Sequence, residues 1–166
     1  MTLEHAFFAS QIVAAIAVLV SLIFVIIELR QNRLATRGST TQAHIANWVG
    51  VLTPIIEHAD VARIWRLGIS DINTLTEDER VRFIILVAGI FRFIEGARLQ
   101  WLQGHLDGTH WTNLERNLRD IASQPGFKSY WAMRRHWYTD DFRAWYEAAQ
   151  TDEVRPMYDV QKAAAI

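Results

Sequence analysis

The chain has no cysteine. That excludes disulfides, thiolate zinc sites and iron–sulfur clusters, and it suits a reducing compartment. Proline is scarce, with 3 in 166 residues, and no alternating Val/Ile/Thr-rich stretch is long enough for a strand, so the expected fold class is all-α. Chemical motifs are missing too. There is no Gly-x-Ser-x-Gly elbow, no glycine-rich phosphate loop and no Glu-x-x-His or His-Glu-x-x-His spacing, and His105 and His110 stand five apart. No catalytic residue, metal ligand or cofactor is therefore expected. The formal net charge is only -1, and a neutral chain lacks the basic face by which proteins bind nucleic acid.

Lys and Arg are absent before Arg30, and charge of either sign is absent from Phe7 to Ile27. About 20 apolar residues at roughly 1.5 Å rise each match a hydrocarbon core of about 30 Å, and in lipid only a helix satisfies every backbone group within one segment. The run is thus expected to be a transmembrane helix. Arg30, Arg33 and Arg37 follow it directly, which sets the N-terminus outside and the remaining chain in the cytoplasm. A cleaved signal peptide fits poorly, because the basic n-region is missing, the apolar run is too long and the exit reads Ile27-Glu28-Leu29-Arg30 rather than small-x-small. Residues 1–37 are read as an uncleaved anchor with a juxtamembrane helix. Residues 38–150 are read as a cytoplasmic helical domain, and 151–166 as a polar, alanine-rich tail that orders only by docking.

Within the domain, hydrophobic periodicity is helical throughout. The anchor helix is expected to run on through Gln42, Ile45 and Trp48 toward Pro54, with Gly38 and Gly50 as weak points. Asp60 is expected to cap a short helix that Gly68 ends. Thr76 and Glu79 form a capping box for a helix of about 76–103 whose middle is apolar on all sides. Arg82 and Arg92 bracket only nine residues, too few for a second span, so this helix is expected at the centre of a small bundle. Three more helices are expected: one carrying Trp111, Leu114, Leu118 and Ile121 and stopped by Pro125-Gly126, one over Phe127–Tyr138, and one capped by Thr139.

The combination Val20-Ser21-Leu22-Ile23, Arg30-Gln31-Asn32, Arg80-x-Arg82-Phe83, Phe91-Arg92-x-x-Glu95, Gly104-x-Leu106, Trp111, Pro125-Gly126, Trp131 and Phe142 resembles a widespread group of uncharacterised bacterial single-span proteins. The resemblance covers almost the whole chain and implies one N-terminal span with a helical cytoplasmic domain in a bacterial inner membrane. It implies no activity and transfers no catalytic residue. Where that group often carries an aromatic pair after the glutamate, this chain has Gly96-Ala97-Arg98.

Three sets of residues are candidates for function. Arg92, Glu95 and Arg98 share one side of the central helix, where Glu95 is able to pair with either arginine, as a structural ion cluster or an anion contact. Trp131, Arg134, Arg135 and Trp137 suggest either core rings with outward arginines or a face for anionic lipid or a partner. Ser10, Ala14, Ala17 and Ser21 make a small-residue seam along the span, continued by Glu28, that would admit a neighbouring helix. The preferred expectation is a non-catalytic accessory or assembly subunit bound to other membrane-protein subunits. The alternative is a homo-oligomer, channel-like or lipid-binding, and an enzyme acting on lipids ranks last.

Overall fold

A computed structural model describes residues 3–150 and Met157, apart from the side chains of Leu3, Ala6, Ala9 and Ser10. Six α-helices and two short 3-10 turns follow one another, and no strand occurs among the described residues. The first helix, α1 (Leu3–Glu57), is uninterrupted. Gly38 and Gly50 do not break it, and both face open space. Every residue from Gln11 to Ser39 is exposed, whereas Thr41, His44, Trp48, Val51, Leu52 and Ile55 are buried or half-buried. That three-four spacing is one helical stripe, and it is the stripe by which α1 meets the rest of the chain.

The second helix, α2 (Ala59–Ser70), starts from His58, which makes no side-chain cap. Asp60 is therefore not the cap. It lies in the first turn, where it favours the helix dipole and accepts from Arg82 at 3.1 Å. Gly68 does not end the helix either. It is buried inside α2, where a Cβ would run into the Phe83 ring, and a Cβ on Gly126 would run into the Gly68 carbonyl. The two glycines are there to let backbones approach.

A 3-10 turn (Ile72–Thr74) leads to α3 (Glu77–Leu102). The capping box is formed: Glu79 N–H donates to Thr76 Oγ1 at 3.4 Å and Thr76 N–H to Glu79 Oε2 at 3.0 Å. Phe83, Val87, Ile90, Phe91, Ile94 and Ala97 are buried, yet Val81, Ile85 and Leu99 are exposed. The helix is central but not enclosed, because α1, α2, α4 and α5 pack on it and leave one strip uncovered.

Asp107 caps α4 (Gly108–Ala122), accepting from the N–H groups of Thr109 and His110 at 2.9 and 3.1 Å. Those bonds hold its carboxyl below the usual carboxylate range. Pro125 then opens α5 (Pro125–Arg134) at its first turn, where a missing N–H costs nothing. This helix is shorter than the sequence suggests: Arg135–Trp137 form a 3-10 turn before α6 (Asp140–Ala149), which Thr139 caps.

The core gathers on Phe91. Its ring stacks on Tyr130 and Trp131 at 5.1 and 5.4 Å and meets Tyr146 edge-on at 4.9 Å. Tyr130 and Tyr138 share a buried hydroxyl–hydroxyl bond of 2.7 Å, and burial pushes both phenols above their ordinary pKa. α3 runs antiparallel to α1. Phe93 packs on His44 and Trp48 at 5.0 and 5.1 Å, while Arg37 Nε donates to the Gly104 carbonyl at 2.7 Å. The α3–α4 turn therefore points back along α1 toward its apolar half.

Candidate functional site

The charged set on α3 is built from the residues expected, with one exchange of partner. Glu95 pairs with Arg92 at 2.8 Å, and Arg98 turns instead to Asp141 of α6 at 3.0 Å. The other oxygen of Glu95 accepts from the N–H and hydroxyl of Thr139 at 3.0 and 3.2 Å. Arg92 also donates to the Trp137 carbonyl at 3.0 Å. Every charge in the set thus clasps the start of α6 against α3. Arg92 stacks over Tyr138 at 4.8 Å and Arg98 over Trp145 at 5.1 Å. The donors that would hold an anion are spent on the protein itself.

The aromatic and basic stretch divides in the same way. Trp131 is buried in the core, its indole N–H donating to Glu147 at 3.3 Å. Trp137 is 45% exposed, with Arg134 over its ring at 4.7 Å. Arg135 reaches Glu147 at 3.3 Å. One tryptophan belongs to the core and the other to the surface, so the four residues form no single face.

Along the N-terminal half of α1, Ala14, Ala17, Ser21 and Glu28 are all exposed. Ser21 Oγ donates to the Ala17 carbonyl at 2.8 Å, so its hydroxyl is satisfied within its own helix. The side chain of Ser10 lies outside the described residues. So does the tail, except for Met157, which packs against the core and lines an apolar cleft of about 490 Å³ with Trp48, Leu52, Ile55, Trp65 and Ile121.

A polar cluster that sequence reasoning missed sits where α1, α3 and α4 meet. His44 is 6% exposed and its ring lies 6.5 Å from that of His110. Burial lowers its pKa first, the adjacent Gln100 side chain opposes the shift, and the nearby His110 lowers it further. His44 Nδ1, His110 Nε2, Gln100 Oε1 and Thr41 Oγ1 are all buried without a hydrogen-bond partner among the described residues. The signal was available: Thr41 and His44 are polar residues standing on the stripe that Trp48 and Ile55 continue. Among the described residues, no three His, Cys, Asp or Glu side chains converge as metal ligands do.

A second cleft, of about 420 Å³, lies nearer the apolar half of α1. Arg33, Thr36 and Arg37 form one wall, and Gln103, Gly104 and His105 of the α3–α4 turn form the other. Gly104 makes the turn possible with a φ of 73°, a backbone region glycine enters without cost.

No family model matches the chain, and no curated protein and no solved structure is significantly similar to it.

Proposed function

We propose that this is a non-catalytic, membrane-anchored interaction protein, an accessory or assembly subunit of a larger bacterial inner-membrane complex. One observation carries the reading: α1 is long and apolar enough to cross a membrane, and none of its residues from Gln11 to Ser39 is covered by the rest of the chain. Leaving Ile12, Ile16, Leu19, Ile23 and Ile26 in water would forfeit about 1.5–3 kcal/mol for each such side chain, a cost that lipid or another protein removes. Arg30, Arg33 and Arg37 favour a cytoplasmic domain and an outward N-terminus. The domain's own ion pairs close on themselves, which suits a rigid body held near a membrane for contact rather than catalysis.

Native purification from membranes, with gentle crosslinking, tests this. A distinct membrane protein should travel with the chain in fixed ratio. Recovery of free monomer alone contradicts the reading.

The exposed alanines favour a second reading, a homo-oligomer packed along Ala14, Ala17 and Ser21. Since Ser21 is internally bonded, that association would rest on close packing rather than on an interhelical hydroxyl bond. Replacing Ala14→Leu and Ala17→Leu should then disperse the oligomer on a sizing column. Unchanged assembly removes this alternative.

A further inference from the structure

We infer that the cleft between α1 and the α3–α4 turn is a headgroup site for an anionic phospholipid of the inner leaflet, a proposal that rests on α1 being a membrane span. The sequence alone points for lipid contact to Trp131–Trp137, but distance along α1 disfavours that stretch. Trp137 is held by Arg92, and the next residue, Phe93, packs on His44 and Trp48. At about 1.5 Å per residue those positions lie roughly 25–30 Å beyond Ile27, well past a headgroup layer about 5–8 Å deep. Tilting α1 by a typical angle of about 20° shortens that height only slightly.

The α3–α4 turn is the part of the domain that comes down to the layer. Its cleft reaches Leu29, about 3 Å past Ile27, and Arg33 stands about 9 Å past it. Arg30, Arg33 and Arg37 recur at intervals of three and four, so they share one face of α1. Arg33 and Arg37 line the cleft together with His105, and no carboxylate does. Arg37 spends its Nε on Gly104, and Thr36 spends its hydroxyl on the Asn32 carbonyl at 2.8 Å. Arg30 and Arg33 make no ion pair among the described residues, which leaves their guanidinium forks for a phosphate, the partner they bind bidentately.

Beside the turn, Leu99 and Leu102 are 54% and 53% exposed and Trp101 is 36% exposed, with Trp101 stacked on Trp111 at 5.4 Å. Because α3 runs antiparallel to α1, these side chains stand farther from the apolar run than Arg33 and Arg37, so the cleft supplies contacts to a headgroup and not a seat for acyl chains. A basic cleft without a carboxylate that opens at Leu29, beside the end of the apolar run, fits an anionic headgroup held at the membrane surface.

The test uses the full chain in neutral detergent, titrated with phosphatidylglycerol or phosphatidylcholine and read by native mass spectrometry. Phosphatidylglycerol should be retained preferentially, and Arg30→Gln with Arg33→Gln should weaken it by roughly fivefold for each arginine removed, while Arg66→Gln, at an exposed position of α2, leaves it unchanged. Circular dichroism confirms that the variants keep their helices. Equal retention of the two lipids, an unchanged double variant, or displacement by excess inorganic phosphate overturns the proposal. A chain that stays soluble without detergent and floats with no vesicle overturns the membrane reading as well, and so is distinguishable from failure of the site alone.

Discussion

At the scale of the residue, Glu95 is the side chain on which the α3–α6 junction turns. It accepts three bonds, from Arg92, the Thr139 N–H and the Thr139 hydroxyl, and only 16% of its side chain is exposed. Glu95→Ala removes these bonds where Thr139 is exposed and water takes the place of the carboxylate, at about 0.5–1.5 kcal/mol. Because Arg92 is 55% exposed, water screens its half of the pair, and the loss should fall at the lower end of that range. Denaturant unfolding of the variant checks it. Gly126 is the sharper case. A Cβ there meets backbone of α2 rather than a side chain able to swing aside, so Gly126→Ala should destabilise by at least the ~1–3 kcal/mol typical of overpacking, measured as a fall in unfolding midpoint. An unchanged midpoint would show that α2 and α5 separate more easily than their contact implies.

At the scale of the element, what was legible followed from locality. The capping box of Thr76 and Glu79 and the cap of Thr139 act within three residues, so the sequence displays them. Gly68 reads as a helix stop because its purpose, room for Phe83 and Gly126, is set by distant residues. Arg98 faced a choice between Glu95 and Asp141, and only the docking of α6 decides it. For the same reason Trp131 and Trp137, neighbours in a motif, part company when α5 ends at Arg134. The all-helical fold and the one long apolar helix were readable throughout, since they depend on composition and period alone.

The contact of α1 with α3 and α4 has its own pH dependence. Burial holds the His44 pKa below its ordinary 6.5, so the unfolded chain binds the proton more readily than the folded one. The stability of this contact is whole above about pH 6.5 and declines as pH falls below that value toward the lowered folded pKa. Thermal unfolding followed from pH 7.5 to 5 should show the decline, and His44→Leu should flatten it. An equal decline in the variant would assign the acid sensitivity elsewhere.

At the scale of the whole molecule, α1 of 55 residues is roughly 80 Å long at about 1.5 Å per residue, more than twice a bilayer's hydrocarbon core. Its apolar half is bare and its polar half is built into the domain, so one continuous helix joins an uncovered apolar segment to a packed body. Any displacement of the apolar half reaches α3 and α4 through the stripe of Thr41, His44 and Trp48 and through the Arg37–Gly104 bond. That continuity is why the α3–α4 turn has a defined height above the apolar run.

The anchored, inward-facing arrangement is tested most directly by labelling, and the absence of native cysteine leaves a silent background. Single variants His5→Cys and Ala144→Cys, both at exposed positions, would be treated with a membrane-impermeant maleimide in intact spheroplasts and in everted vesicles. The account predicts that His5→Cys labels only in spheroplasts and Ala144→Cys only in everted vesicles. Labelling of Ala144→Cys in spheroplasts, or of both variants on one side, would contradict it.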